Sequence, residues 1–361
     1  MITNSGSATP VEPFDTQTAA TIDKEFNILA NVGQGNNFAA TGYVRFMLAV
    51  IILIFHSYSF TKFSVPFEQL LPEGGSAVCA FFLLSGWVIG STLERSPHGF
   101  YKRRAERLLP VYLVCLAWAQ VPWAMFGHTI LIPGRQEPLV GPTSAWILIA
   151  HLFFLQNFVG AIEADYTPAW TLSCEVFCYA LAPLFHNTRT KWLFALAGMS
   201  LAFYLVKGLF KLPLIPSGTF LETAFMTWAW LAGFIAFRLR QKTPLVSVIL
   251  LCSLGTFCLP SAGYIVLLTA ASLLFGHLLT LPKILDKIGI ILGDLSYPLY
   301  LSHAATLTIF SKLLPEAFKG RTTVALLGAL AFAMIILFAV DVPSQSFFKR
   351  GRFKRAAQLA S

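Results

Sequence analysis

The sequence predicts an all-α polytopic membrane protein with about ten transmembrane helices plus one short re-entrant or interfacial helix. Three observations predict it. Of 361 residues, 56% are hydrophobic and only 12% charged, against roughly a quarter charged in ordinary soluble domains. Apolar runs recur near 40–57, 76–93, 108–127, 144–160, 169–186, 192–208, 221–238, 244–259, 262–280, 291–311 and 322–342, and most approach the ~20 residues that cross a bilayer core. The basic residues fall largely between these runs, as topology signals do. This composition excludes disorder, a disulfide scaffold and a soluble enzyme. The net charge of +9 is scattered rather than gathered into a patch. The bilayer is therefore the expected partner, and nucleic acid is not.

Residues 1–39 are polar and lack the basic start and apolar core of a cleaved signal peptide. They read as a cytoplasmic N-terminal tail ahead of a membrane domain at 40–342. Residues 343–361 carry Lys349, Arg350, Arg352, Lys354 and Arg355 and read as a basic cytoplasmic tail. The fourth apolar run is short, is flanked by Pro142 and Gly160, and contains His151, Gln156 and Asn157. Charge decides whether it crosses. If it does not, and the N-terminus is inside, inner loops hold 18 Lys and Arg against 7 outside, with Arg45 left within the first helix. If it does, the count becomes 11 inside and 14 outside. The positive-inside rule favours ten spans, both termini cytoplasmic, with the fourth run on or dipping into the outer face. The six cysteines (Cys79, Cys115, Cys174, Cys178, Cys252 and Cys258) lie in apolar stretches without metal-ligand spacing. They read as buried thiols, and no metal is expected.

Charged groups inside spanning helices are costly, so each is a functional candidate. Arg45 and His56 share the first helix, eleven residues apart. That is about three turns and ~16 Å along the axis, which puts both on one face, the cation toward the cytoplasm and the imidazole toward the outside. Glu175 lies six residues into a helix that enters from the outer face, at a depth similar to His56, which is its obvious partner. Tyr179 follows one turn later on the same face. Arg104 and Arg107 share a face if their loop is helical, and paired guanidiniums suit phosphates. A plain positive-inside loop is the alternative. Ser85-Gly86 and Gly90 have the spacing of close helix packing. His303 lies midway along a late helix in which Pro298 allows an irregular turn. His151 and His277 read as structural.

Together these motifs resemble the transmembrane acyltransferase-3 family, which modifies bacterial surface glycans. The similarity rests on Arg45 and His56; on Phe81-Phe82-Leu83-Leu84-Ser85-Gly86; on Arg104 and Arg107 with Pro110 and Tyr112 downstream; on Trp170, Leu172, Ser173 and Glu175; and on Ser296, Tyr297, Tyr300, Leu301 and His303. It covers roughly residues 40–342. Cys79 stands where the family often has an acidic residue, and no fused esterase-like domain is expected in this chain.

The resemblance implies an O-acyltransferase of the bacterial inner membrane, with no permanently bound cofactor. Its co-substrate would be acyl-CoA, acetyl-CoA being usual, and its acceptor a hydroxyl of an extracytoplasmic or lipid-linked glycan. On this reading His56 is the general base and Glu175 orients it. Arg45, Arg104 and Arg107 bind the donor, and Ser85, Trp170, Ser173, Tyr179, Tyr297 and His303 are pocket candidates. The rival reading is a transporter or flippase for a lipid-linked glycan, with Arg45, His56 and Glu175 as a proton relay.

Overall fold

A computed structural model describes residues 37–61, 74–132, 138–142, 144–159, 168–209, 220–240, 245–257, 263–275 and 281–350. The described chain is α-helical apart from one two-residue hairpin, β1 (Thr129–Ile130) against β2 (Leu139–Val140). Residues 1–36 of the predicted N-terminal tail (1–39), residues 351–361 of the predicted C-terminal tail (343–361), Cys258 and His277 lie outside the described residues. The other five cysteines are buried free thiols.

The first three runs become α1 (Asn37–Thr61), α2 (Gly74–Arg95), and α3 (Phe100–Trp118) followed by α4 (Val121–Phe126). Only four residues separate α2 from α3. Gly99, at φ +69°, supplies the left-handed residue this tight turn needs, and the Arg103 guanidinium donates to the Ser96 and His98 carbonyls to close it. The fourth run does not form a long helix. It divides into α5 (Ala145–Leu152) and α6 (Gln156–Val159), broken at Phe154, φ 59°. At ~1.5 Å per residue neither piece can cross a bilayer. Side chains from α6 hold it to the start of the next helix: Gln156 Nε2 donates to Ala169 O and Asn157 Nδ2 to Trp170 O.

The later elements are α7 (Ala169–Asn187), α8 (Thr190–Leu209), α9 (Phe220–Leu239), α10 (Leu245–Thr256), α11 (Tyr264–Phe275), α12 (Lys283–Leu313) and α13 (Arg321–Ile336). A π-helical turn at Leu337–Asp341 follows, and helix then continues to Arg350, past the predicted domain end at 342. Among the described residues, six stretches are long and apolar enough to cross a membrane: α1, α2, α3 with α4, α8, α9, and α13 with its extension. α7 and α12 have the length but carry Glu175 and Asp294 inside them, and α10 and α11 are apolar but only 12 residues long. The chain is thus a polytopic membrane protein. α12 runs unbroken through Pro298, so the irregular turn expected there does not form.

Two glycine seams set the helix register. In the first, a Cβ on Gly42 of α1 would stand 2.0 Å from Gly289 O of α12, and one on Gly293 would stand 2.8 Å from Gly42 Cα. The Tyr43 hydroxyl donates to Leu285 O nearby. In the second, Gly86 of α2 would meet Trp230 O, and Gly233 of α9 would meet Leu83 O, each at 1.9 Å. Backbones this close tolerate no side chain, which is how small residues join membrane helices. Both pairs run parallel: Glu94 at the end of α2 accepts from Arg240 just beyond α9.

Candidate active site

The α1–α12 seam builds the site. Fourteen residues are nearly four whole turns, ~21 Å of helix, so residues fourteen apart face one way. Gly42 meets Gly289, and fourteen positions on in each helix His56 meets His303. The His56 Nδ1 and His303 Nε2 atoms lie 2.8 Å apart, with the rings nearly parallel at 13°. His303 is completely buried, while His56 is only partly so.

The next acceptor fixes the proton positions. His303 Nδ1 lies 2.7 Å from Tyr300 O. A carbonyl only accepts, so Nδ1 carries the proton and Nε2 the lone pair. Between two neutral rings the shared proton then belongs to His56 Nδ1. The lone pair of His56 is left on its Nε2.

Toward the arginine-rich end, a cavity of about 120 Å³ lies among α1, α2, α3, α7 and α12. Arg45, Arg104, Arg107 and Glu175 line it, with Ser85 and Tyr179 beside them. Tyr300 lines it too, its hydroxyl 2.6 Å from Thr171 Oγ1 and its ring against Phe81. Since Tyr300 also accepts from His303 through its backbone, it adjoins both the cavity and the histidine pair.

The structure joins the predicted residues differently from expectation. Glu175 does not pair with His56. Its Oε1 accepts from Ser85 Oγ at 2.6 Å and from the Tyr179 hydroxyl. The single helical turn from Glu175 to Tyr179 makes that local pair, and it turns the carboxylate into the cavity. Arg104 and Arg107 share a face and both line the cavity, but their surroundings differ. Arg107 Nη1 donates to both carboxylate oxygens of Asp341, at 2.8 and 2.7 Å, and its Nη2 donates to Asp294 at 2.7 Å. Arg104 Nη2 donates to Thr92 Oγ1 at 2.6 Å, while its buried Nε has no partner among the described residues. Arg45 is within electrostatic reach of Asp294 and Glu175.

Tyr297 lines the cavity, with its hydroxyl directed to Leu108 O. Trp170 and Ser173 do not line it. Ser173 Oγ donates to Phe154 O and holds the break between α5 and α6. Among the structural candidates, His151 bonds its own helix at Ile147 O.

Sequence reasoning missed Asp294 and Asp341. Each carried a signal: both are acidic residues within largely apolar stretches, the feature that singled out Glu175. The π-helical turn brings Asp341 round to Arg107, and its side chain is only 2% exposed. Such extra-residue turns often occur at functional sites.

The geometry can be set beside known proteins. The family profile described as "Acyltransferase domain" matches residues 39–340. The exopolysaccharide production protein ExoZ of Rhizobium meliloti (strain 1021) is 26% identical over 311 residues, covering 78% of this chain and 92% of that protein. The acyltransferase MdmB of Streptomyces mycarofaciens is 32% identical over 124 residues, but these cover only 33% of this chain and 30% of its own length. No solved structure matches. Because the profile spans nearly the entire described membrane region, the chain belongs to the acyltransferase-3 family of membrane acyltransferases.

Proposed function

We propose that the protein transfers an acyl group, acetyl in the first instance, from cytoplasmic acyl-CoA to a hydroxyl of an extracytoplasmic or lipid-linked glycan. The observation that carries this reading is the His56–His303 pair, which leaves a lone pair on the Nε2 of a partly exposed imidazole. The nearby cavity seats the donor. His56 Nε2 takes the proton of the attacking sugar hydroxyl as its oxygen bonds to the acyl carbon. The C–S bond breaks, and the CoA thiolate leaves and takes up the proton that His56 Nε2 accepted, which returns the imidazole to its neutral form. Base assistance of this kind contributes about 10²–10⁴-fold. His303 is a positioning residue that holds the useful tautomer of His56. Glu175 acts in the cavity, through Ser85 and Tyr179, rather than on His56. The likeness to ExoZ, a protein of exopolysaccharide production, favours a polysaccharide acceptor.

The ten-span topology in the bacterial inner membrane, with both termini cytoplasmic, belongs to this reading. The parallel α2 and α9 support it, because parallel spans need an odd number of crossings between them. α3, α7 and α8 supply three if α5 and α6 supply none. This agrees with the positive-inside count.

The test uses the protein in lipid nanodiscs with radiolabelled acetyl-CoA and a panel of glycans, wild type beside His56→Ala. Label on a glycan with wild type, reduced at least ~10²-fold in the variant at equal folded protein, is the expected result. Equal labelling by the two proteins overturns the role of His56. Movement of an unmodified lipid-linked glycan across the bilayer, with no covalent label, would favour the transporter.

A further inference from the structure

The cavity stops short of the histidine pair. Neither His56 nor His303 is among its lining residues, and Tyr300, one helical turn before His303, is the last residue of α12 to line it in that direction. The Tyr300 ring meets the Phe81 ring of α2, with centroids 5.5 Å apart and planes at 56°. Its centroid is 6.1 Å from that of the His303 ring. Aromatic rings at such separations are in contact.

The two facing rings are held differently. Tyr300 is tied at both ends. Thr171 Oγ1 spends its proton on Pro168 O at 2.9 Å, so the Tyr300 hydroxyl donates to Thr171 Oγ1 at 2.6 Å. Its backbone carbonyl accepts from His303 Nδ1. Phe81 is held by packing alone. It is only partly buried, and it rests against two separate clusters of buried apolar side chains. One wall is therefore fixed, and the other yields only as far as its close-packed neighbours allow.

We infer that Phe81 sets the size of the acyl group this protein transfers: to reach His56 the acyl group passes between Phe81 and the fixed Tyr300 ring, and the space Phe81 can give up admits acetyl but rejects a long chain. The inference rests on the acyl-CoA reading above and narrows the donor class to short acyl chains. A long chain would drive Phe81 into packed side chains, and overpacking of that kind is costly. Phe81 touches the acyl chain but no reacting atom, so it determines specificity, while the bond-making stays at His56.

The experiment reads a ratio, which a general loss of activity does not imitate. Full-length protein in nanodiscs labels the glycan panel from acetyl-CoA or octanoyl-CoA, each labelled in its acyl group. Wild type should favour acetyl at least about tenfold in kcat/KM, since a single methylene in an apolar passage is worth that much. Phe81→Ala should raise the octanoyl-to-acetyl ratio about tenfold, and Phe81→Leu should raise it by a smaller factor. Wild type that uses both donors equally overturns the inference while leaving acyl-CoA as the donor. So does a ratio unmoved by Phe81→Ala at equal folded protein. If Phe81→Ala does not fold, Phe81→Leu decides, because it keeps most of the apolar bulk. Absence of label from either donor overturns the acyl-CoA reading itself, and the inference with it.

Discussion

The two ends of the α1–α12 seam solve different problems. At the arginine end, charge is dense and cancelled. Arg107 holds Asp294 and Asp341, and Arg104, Arg45 and Glu175 share one cavity wall. At the histidine end, two imidazoles share one proton in a chain that ends on the Tyr300 carbonyl. The first end is a rigid, neutral frame, in which removing any charge strands another. The second is a directional device, in which one proton position determines which nitrogen can act as base. The comparison teaches that charges closed on one another hold helices together, whereas a hydrogen-bond chain with a fixed direction leaves one nitrogen for chemistry.

The largest effect should come from breaking the frame. Arg107→Ala leaves Asp341 buried without its main partner, and loss of one member of a buried pair costs about 3–5 kcal/mol. Thermal unfolding in detergent should report it, with donor binding lost in the same step. Unchanged thermal stability would mean that the arginine end is no frame. The histidine end should respond in rate instead. His303→Leu should lower kcat about 10²-fold, or ~2.7 kcal/mol of barrier, with KM for the donor little changed. His303→Gln, whose Oε1 can accept from His56 Nδ1, should restore much of the rate. If leucine and glutamine behave alike, His303 only fills space. The smallest effect is expected at Ser85→Ala, which removes one of two hydrogen bonds to Glu175. A charge-assisted bond is worth about 1.5–3 kcal/mol, and the Tyr179 hydroxyl retains part of it. A several-fold rise in donor KM, with stability nearly unchanged, would place Ser85 with the ligand rather than the frame.

Much of the site was legible because helices repeat. The eleven-residue spacing of Arg45 and His56, the three-residue spacing of Arg104 and Arg107, and the single turn from Glu175 to Tyr179 are local, and each shared face follows from 3.6 residues per turn. The break of the fourth run was legible too, since its length, polar residues and flanking Pro142 and Gly160 all argue against a span. Partners across helices were not. Glu175 and His56 were expected to meet because their positions along their helices suggested similar depths, but the fold puts Glu175 in the cavity at the arginine end of the seam, with Ser85 and Tyr179.

The sequence by itself determined that this is a polytopic α-helical membrane protein of the acyltransferase-3 family, because apolar length and ordered motifs are properties of the chain alone. Only the tertiary structure decided that His56 pairs with His303, that Arg107 is filled by two carboxylates and that Arg104 is not. The reason is geometric. Glycine contacts fix how α1 slides and turns against α12, and the π-helical turn rotates Asp341 by an increment that 3.6-residue periodicity does not contain. Both arise from contacts between helices far apart in sequence.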